Sequence, residues 1–593
     1  ILCGFALKGV SGIVYNDINQ NCTKQNNEPG LSVRRGLLNP GNIIIETDIN
    51  GRWFIDSLTP GTYSIVFDIQ PNWLATCSNT INFSVVSSNS YLAAPDFGLR
   101  STNPCSQPEI SIMAPVLRRC FSNQKIYVQA CNLATGTGAI NNGYVDVILD
   151  TALVVDNASM TYTAMGNNTY RFAIGSVNPA QCVNFNLSTT VKCSTLLGKT
   201  LCMSAFLAPV DSCVLDTVTT PALPIGSTPV CTSAWDHSSL SVTGYCQNDS
   251  VFFVITNNGS PVNGNMQCAA PVRVYVDGML LYTYSITLLG GQSVTYAYPG
   301  NGQTWILQAD QHPQHPGNSH PNAHVEACGN IANWTTNLVN NFPLNDSDPI
   351  VDIYCGLVTG SYDPNDKTGY PLGTGVQHEV LPNQQLQYVI RFQNTGTDTA
   401  FTVVIRDTLD IDLDIFSVVS GISSHNYTFR MYGPRVLEWT FNNIMLPDSN
   451  NSEPNSHGFV TFRVDQKKNL ANGTTILNDA DIYFDFNSPV ITNQTLHTIN
   501  DQLSPSIVTG IKENLNSTFK IYPNPANSYI TIVSTKESIG SSFSIINLLG
   551  QTFVSGKLTR EVNTIDLSPL ANGFYLVLIE NKDTGFSQKL IKQ

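Results

Sequence analysis

The amino-acid sequence predicts an all-β protein, arranged as a linear string of about five β-sandwich modules. Apolar residues alternate with polar ones in short runs, among them Tyr63–Phe67, Val251–Ile255 and Gln387–Phe392. This period of two is the spacing of strands that bury one face. The sequence has no sustained helical pattern of apolar residues, and Asn, Gly and Pro separate the runs as turn residues do.

Breaks in composition divide the chain into predicted modules. A chain of 593 residues is too long for one hydrophobic core. Prolines mark the ends of the first two modules at Asn103-Pro104 and Thr220–Pro224, and a polar linker precedes the last module. The second and third modules are predicted to be Ig-like sandwiches. The predicted ranges are 1–100, 105–229, 230–358 and 359–500, then a linker at 501–517 and a final module at 518–593.

Charge and composition limit the classes of partner. The chain has 29 Lys and Arg against 43 Asp and Glu, a formal net charge of -14. With no basic run to offset it, this acidity argues against nucleic acid as a partner. Only 12% of residues are charged, and Asn, Thr, Ser and Gly take their place, as in extracellular β proteins. The chain begins Ile1-Leu2-Cys3 without Met, so we expect a processed or truncated start.

The fifteen cysteines are unevenly placed, because all of them lie between Cys3 and Cys355. None forms a Cys-x-x-Cys pair, so the common zinc-ribbon and thioredoxin patterns are absent. Scattered cysteines in such a β chain predict disulfides made in an oxidising compartment. The alternative is a set of buried free thiols. An odd count leaves at least one cysteine unpaired or paired outside the chain.

The final module carries the most specific motifs. It opens on an aromatic residue followed by an Asn between two prolines, continues through strands and glycine turns, and closes on a tail of alternating Lys and apolar residues. The predicted signal residues are Tyr522, Pro523, Asn524, Pro525, Gly550, Gly573, Tyr575, Lys589, Leu590 and Lys592. This layout resembles the type A C-terminal sorting domain of type IX secretion substrates of Bacteroidetes. It departs from that family in ending on Gln593, where a basic residue is common.

The resemblance implies a small β-sandwich that serves as a folded export signal. The implied partners are the type IX translocon and its outer-membrane shuttle protein, with cleavage on release or attachment to cell-surface lipopolysaccharide. The implied location is the cell surface or the extracellular space. Such cargo crosses the periplasm, where disulfides can form. The alternative is that 518–593 is one more β module without a sorting role.

The first module contains an Asx-rich loop with alternating oxygen ligands. Asp17, Asn19 and Asn21 are followed by a distal carboxylate, Glu28. The module resembles the B-type repeat of Gram-positive surface adhesins, a prealbumin-like β-sandwich used as a stalk unit. The four residues suit a structural Ca²⁺, which takes 6–8 oxygen ligands, although Cys22 stands where a Gly is common. An Asx-rich turn without metal is the alternative.

Two further segments give weaker expectations. The segment 309–328 contains His312, His315, His320 and His324 among prolines, and we predict a surface loop there in preference to a metal site. The fourth module, with Ser361–Lys367 at its start and Ala480–Val490 near its end, is similar to an uncharacterised repeat-type β-sandwich found upstream of type IX sorting domains.

The sequence predicts export and binding rather than catalysis. Zinc-protease, nucleophile-elbow and P-loop motifs are absent from it. The predicted function is therefore that of type IX secretion cargo, a cell-surface or secreted adhesin or structural protein that serves surface attachment or gliding and has a host or environmental glycan or protein as ligand. The alternatives are the non-catalytic C-terminal region of a larger secreted hydrolase and a carbohydrate-binding surface protein.

Overall fold

The computed structural model confirms the all-β prediction, with 54% of the chain in strands and 3% in helices. The chain divides into two compact units, Ile1–Pro505 and Ser506–Gln593. The residues that the structure describes are 9–56, 58–70, 72–86, 91–209, 231, 234–315, 318–342, 349–359, 365–501, 520–522, 526–534, 536–546, 552–571, 573–580 and 585–592.

The first sandwich encloses a core that includes Trp53, Ile65 and Phe97. One sheet has the order β4-β1-β9-β6, with β8 also paired to β1, and the other has the order β3-β2-β5-β7. The strands are β1 Gly9–Asn16, β2 Arg35–Asn39, β3 Ile43–Glu46, β4 Arg52–Ile55, β5 Gly61–Phe67, β6 Trp73–Ala75, β7 Thr80–Val85, β8 Tyr91–Ala93 and β9 Phe97–Ser101.

The second sandwich takes one strand from much later in the chain. Val351–Leu357 pairs antiparallel with the strand Thr200–Ala208, although it lies within the predicted third module. The strands are β10 Pro108–Met113, β11 Gln124–Asn132, β12 Ile140–Leu149, β13 Leu153–Ala158, β14 Thr163–Gly166, β15 Thr169–Val177, β16 Gln181–Val191 and β17 Thr200–Ala208. One sheet has the order β10-β11-β16-β13, and β14-β15-β12-β17 continues into the late strand.

The third sandwich lies between those two paired strands in sequence. Its sheets have the orders β18-β19-β22 and β21-β20-β23-β24. Short 3₁₀ turns at Ile331–Asn333 and Val339–Asn341 lead back to the second sandwich. The strands are β18 Leu240–Gln247, β19 Ser250–Asn257, β20 Ala270–Val276, β21 Met279–Ile286, β22 Ser293–Pro299, β23 Trp305–Ala309 and β24 Asn322–Val325, and the late strand of the second sandwich is β25 Val351–Leu357.

The fourth sandwich is built from three sheets, ordered β26-β28-β33-β30, β27-β37-β34 and β31-β32-β29-β35-β36. One helical turn, α1 Ser449–Ser452, and 3₁₀ turns at Ile415–Ser417 and Glu453–Asn455 connect strands. The strands are β26 Asp366–Tyr370, β27 Glu379–Val380, β28 Gln385–Gln393, β29 Ala400–Thr408, β30 Val419–Ser423, β31 Thr428–Tyr432, β32 Val436–Leu446, β33 His457–Asp465, β34 Thr475–Asn478, β35 Asp481–Phe484, β36 Val490–Ile491 and β37 Thr495–Ile499.

The second unit is a smaller sandwich with sheets ordered β38-β39-β42 and β41-β40-β43-β44. A 3₁₀ turn occupies Lys536–Ser538. Its core includes Ile530, Val577 and Leu590. The strands are β38 Lys520–Tyr522, β39 Tyr529–Val533, β40 Ser542–Ile546, β41 Thr552–Lys557, β42 Val562–Asp566, β43 Gly573–Glu580 and β44 Gly585–Lys592.

Two-residue turns explain why the chain is rich in Asn. At Asn167-Asn168, Asn248-Asp249 and Asp277-Gly278, both central residues have positive φ, between 48° and 80°. This left-handed conformation matches the twist of a β-hairpin and is tolerated by Asn, Asp and Gly. The same residues that separate strands in the sequence therefore fix the hairpins of the second and third sandwiches.

In the first unit, contacts also join sandwiches that are far apart in sequence. The guanidinium of Arg35 donates to the Phe416 carbonyl at 2.7 Å, which joins the first and fourth sandwiches. The rings of Tyr127 and Phe459 lie 5.1 Å apart edge-to-face, which joins the second and fourth. The linear order of the sandwiches therefore does not restrict their contacts to neighbours in sequence.

Candidate functional site

Two of the predicted signal residues hold the C-terminal sandwich together from inside. Tyr575 and Leu590 are register partners on β43 and β44, and both side chains are buried. The Tyr575 hydroxyl donates to the Ala571 carbonyl at 3.0 Å, and its ring packs edge-to-face on Phe553. These side chains therefore stabilise the fold rather than form a surface for a partner.

The structure brings the opening and the closing of this sandwich together. Lys592, near the end of the chain, forms a parallel bridge with Ala526 and is the register partner of Gly573. Tyr522 ends β38 opposite Thr531, while Lys589 lies on β44. The other predicted signal residues, Pro523, Asn524, Pro525 and Gly550, lie outside the described residues.

The Asx-rich loop of the first sandwich is organised around a buried carboxylate. Asp17 is fully buried, and its two oxygens accept backbone N–H groups of Asn21 at 3.1 Å and Cys22 at 3.0 Å. Burial by itself raises the pKa of Asp17, but hydrogen bonds from the Thr76 hydroxyl and from these backbone groups lower it below its ordinary value. Asp17 is therefore ionised and fixed in place.

The other three predicted ligands lie in the same loop. Glu28 accepts backbone N–H groups of Ile18 at 3.1 Å and Gln25 at 2.9 Å. The side-chain oxygen of Asn19 accepts the N–H of Asn21 at 3.1 Å, as in an Asx turn. The oxygens that were predicted to hold Ca²⁺ thus already order the loop through its backbone, and the calcium site stays a prediction.

One group of three metal-type ligands lies close together in the described part of the chain. It consists of Asp17, Cys22 and Cys77. The two sulfurs are joined to each other in a disulfide, so they are not thiolate ligands. This cluster is therefore a disulfide beside a buried carboxylate.

The histidine segment forms a loop with Pro313 and Gln314 exposed, as the sequence predicts, but two of its histidines are buried. His312 and His315 are each only 9% exposed, because the segment connects β23 to β24 of one sheet and folds back onto the sandwich. His315 Nε2 lies 3.1 Å from the Ser239 hydroxyl, and His320 Nδ1 lies 3.1 Å from the Asp310 carboxylate. The rings of His315 and His320 therefore contact protein groups of their own sandwich.

A cavity of about 140 Å³ lies between the second and fourth sandwiches. Tyr354, Tyr370 and Arg391 contribute to its lining. Pockets for substrate-sized ligands usually enclose about 300–1,000 Å³. This space is therefore a packing gap at a junction rather than a candidate active site.

Comparison with known protein families decides the role of the second unit. Residues 520–593 match the family described as a secretion system C-terminal sorting domain. This sandwich is a sorting domain. The chain is therefore cargo of type IX secretion, exported across the outer membrane to the cell surface or the extracellular space. Within the described residues, we find no helix with the length and apolar character needed to cross a bilayer.

The sandwich upstream of the sorting domain also matches a known family. Residues 363–498 match a domain of unknown function, and this range lies within the predicted module 359–500. No curated protein matches the chain.

Several solved structures are similar to parts of the cargo chain. One is a collagen-binding domain from a Staphylococcus aureus adhesin, with 11% identity and a TM-score of 0.16, covering 24% of this chain and 99% of that one. Another is BcpA, the major pilin subunit of Bacillus cereus, with 13% identity and a TM-score of 0.19, covering 60% and 93%. These scores are too low to support an argument about function.

Disulfides, rather than free thiols, account for the cysteines in the part of the exported body that the structure describes. All cysteines in the described part of the chain are disulfide-bonded, Cys105 included, while Cys3 and Cys213 lie outside it. The prediction of disulfides is confirmed for these residues. The described pairs are Cys22–Cys77, Cys120–Cys193, Cys131–Cys182, Cys202–Cys355, Cys231–Cys268 and Cys246–Cys328.

Sequence reasoning missed a set of buried charges in the body of the cargo. Arg273 is 1% exposed and donates to both oxygens of Asp310 at 2.6 and 2.9 Å. Lys367 pairs with Asp407 inside the fourth sandwich. The sequence did contain one indication that Asp407 is buried. Asp407 follows Val403 and Ile405 at spacings of two, so all three side chains point to the same face of β29.

Proposed function

We propose that the exported body is a rigid structural or adhesive protein of the cell surface, positioned there by the sorting domain. The observation that carries this proposal is the disulfide Cys202–Cys355, which directly joins paired strands β17 and β25. Because the third sandwich lies between these strands in sequence, both of its ends are anchored on the second sandwich. A body that is covalently anchored in this way suits load-bearing and presentation better than the lid or domain motions of many enzymes.

Hydrogen bonds between sandwiches also support the proposal that the exported body is rigid. Thr200 at the start of β17 donates its N–H and its hydroxyl to the Glu326 carboxylate of the third sandwich, at 2.7 and 3.1 Å. Leu372 of the fourth sandwich donates its N–H to the Asn340 carbonyl at 2.8 Å. These contacts stiffen the junctions between sandwiches, since each uses backbone groups that cannot rotate away.

We infer that the translocon and its shuttle protein recognise the sorting domain as a folded object. Tyr575 and Leu590 lie in its core, so these residues act by maintaining the sandwich. Attachment to lipopolysaccharide after translocation would then leave the body exposed at the surface, where a glycan or protein ligand could reach it.

Export and surface role are tested in one host with a working type IX system. Full-length chain is expected on intact cells or in the medium, accessible to added protease, while a chain lacking residues 520–593 stays in the periplasm. Tyr575→Phe is the matched control, because it removes one hydroxyl and keeps the apolar ring. Equal surface amounts of the truncated chain would contradict the sorting role.

The adhesive role has its own readout. Cells that display the full chain should attach to surfaces more strongly than cells that express the truncated chain. Equal attachment with normal display contradicts the adhesive role and leaves export intact. Binding of the displayed chain to immobilised glycans would favour the carbohydrate-binding alternative.

A further inference from the structure

Three polar side chains meet in the core of the fourth sandwich. Lys367 lies on β26, Asp407 on β29 and Asn478 at the end of β34, so each comes from a different sheet. Their relative exposures are 2%, 0% and 2%. Buried charged and amide groups are costly to keep in a core unless they are fully paired, so this arrangement requires a physical reason.

The lysine amine is the centre of the cluster. Its Nζ contacts the Asp407 carboxyl and lies 3.3 Å from the carbonyl oxygen of Asp479, the residue after Asn478. The same atom lies 4.7 Å from the ring centre of Tyr388 and 5.5 Å from that of Phe462. Aromatic rings therefore border the amine and help to keep water away from it.

The Asn478 side chain borders the same Asp407 carboxyl. Among the described residues, neither its side-chain oxygen nor its side-chain nitrogen makes a hydrogen bond of regular geometry, and Oδ1 of Asp407 also has no partner. The Asn478 amide nevertheless lies beside the Asp407 carboxyl, where it favours the ionised form of that carboxyl. The backbone of Asn478 is fixed, because Thr495 opposes it in register and donates its hydroxyl to the Asn478 carbonyl at 2.9 Å.

The protonation states suit a reaction between these groups. Burial lowers the pKa of the Lys367 amine, and the Asp407 carboxylate only partly offsets this effect. Burial raises the pKa of Asp407. Both pKa shifts act in the direction of a neutral amine and a protonated carboxyl, and a neutral amine is the form in which a lysine acts as a nucleophile in an apolar site.

We propose that Lys367 and Asn478 are joined by an intramolecular isopeptide bond, which the folded sandwich forms without another enzyme, with Asp407 as the catalytic acid and base. The Lys367 amine attacks Cγ of Asn478, and the Asp407 carboxyl donates a proton to the amide oxygen. Nζ then loses a proton to Asp407, which passes it to Nδ2. The C–Nδ2 bond breaks, the oxygen returns its proton to Asp407 as the carbonyl re-forms, and the amide nitrogen leaves as ammonia. The products are one secondary amide and one molecule of NH₃, and no oxidant or cofactor is needed.

The bond would close the fourth sandwich across its sheets. It connects its first strand, β26, to β34, which lies close to its C-terminal end. The sequence has no cysteine in this region, so a disulfide could not do the same. The sandwich directly upstream of the sorting domain would thus be covalently closed in an oxidising or a reducing medium.

High-resolution mass spectrometry of the full chain tests the proposal directly. After complete reduction of the disulfides, the wild-type chain should be lighter than its sequence mass by about 17 Da, the mass of one ammonia. Digestion with trypsin and chymotrypsin should yield a branched peptide that links Lys367 to Asn478, with no cleavage after Lys367. A wild-type chain at its full sequence mass, with ordinary cleavage after Lys367, overturns the proposal whatever the variants do.

Variants assign the roles within the cluster. Lys367→Arg and Asn478→Ala should each restore the full sequence mass expected for that variant, and Asp407→Asn should lose most of the branched peptide. Asp366→Asn is the matched control, because Asp366 lies beside Lys367 on β26 and pairs with Arg391 outside the cluster, so the branched peptide should persist. A loss of about 18 Da with Lys367 linked to Asp407 would overturn the assignment to Asn478. A full yield of branched peptide in Asp407→Asn would overturn the role of Asp407.

Discussion

The cysteine-bearing part of the body and the fourth sandwich use different chemistry for the same structural task. Disulfides occur in each of the first three sandwiches, whereas no cysteine follows Cys355. In place of a disulfide, the fourth sandwich contains the buried cluster of Lys367, Asp407 and Asn478. With the proposed isopeptide bond, one exported chain cross-links its sandwiches by oxidation in one part and by amide formation in another.

The two kinds of cross-link also differ in when they can form. A disulfide requires an oxidising compartment and a partner oxidant. The isopeptide requires only that the core be assembled, because burial itself prepares the amine and the carboxyl. The fourth sandwich would therefore become covalently closed as soon as it folds, before or after export.

Chemical reduction of the disulfides should produce the largest difference in stability between the cysteine-bearing sandwiches and the fourth sandwich. With a thiol or phosphine reductant, each lost disulfide lowers the free energy of unfolding by about 2–4 kcal/mol, so residues 9–359 should become sensitive to protease. Residues 365–499 should stay resistant. Limited proteolysis with mass identification of the fragments measures this difference.

An untreated sample at the same temperature is the control. Loss of both parts at the same reductant concentration would show that the fourth sandwich depends on its neighbours for stability, and the comparison would then fail. The sorting domain has no cysteine either, so its fragment provides an internal standard for protease activity.

Removing the buried acid of the fourth sandwich should have the next largest effect. Asp407→Ala leaves the Lys367 amine without its partner in an apolar core and stops bond formation, so the fourth sandwich should lose at least about 3–5 kcal/mol. Hydrogen exchange of the amides in β28 and β33 measures the loss.

A double variant tests how much of this loss of stability comes from the unpaired Lys367 amine. Lys367→Met together with Asp407→Leu replaces both ionisable groups by apolar ones and should recover the part of the loss that comes from the unpaired amine, but not the part that comes from the missing bond. Asp366→Asn, at a partly exposed ion pair, should cost only about 1 kcal/mol. Equal losses in Asp407→Ala and Asp366→Asn would contradict the special role of the cluster.

The sequence predicted local structure better than long-range pairing. Alternation in Val251–Ile255 gives β19, in which every second side chain is buried. By contrast, nothing local to Val351–Leu357 shows that it pairs with Thr200–Ala208 across an entire sandwich. That pairing is set by register partners far apart in sequence, which periodicity cannot report.

The same difference between local and long-range information applies to the sorting domain and to the buried cluster of the fourth sandwich. The motifs around Tyr575 and Lys592 are contiguous, and the sequence predicted a sorting domain that the family match confirms. Lys367, Asp407 and Asn478 lie on three separate strands, and each is an ordinary polar residue in its own segment. Their proximity follows from the fold, so a single sequence offers only the inward register of Asp407 as a signal.

The junction between the second and third sandwiches offers the finest test, because covalent and titratable links meet there on one strand. Cys202 of β17 is disulfide-bonded to Cys355, and Thr200, two residues earlier, donates hydrogen bonds to Glu326. Burial raises the pKa of Glu326 to about 7, although the hydrogen bonds from Thr200 oppose this shift.

Because the folded pKa of Glu326 lies above its unfolded value, the protonated form favours folding. This contribution is fully present below about pH 4.5 and is lost as pH rises through about 7, with a total change of at most about 3 kcal/mol. Glu326→Gln keeps an acceptor for Thr200 and cannot ionise, so its denaturant midpoint should match wild type at pH 4.5 and exceed it at pH 8. Parallel pH profiles would show that Glu326 does not titrate on folding. A difference that persists after reduction would show that the carboxyl acts on this junction independently of the disulfide two residues away.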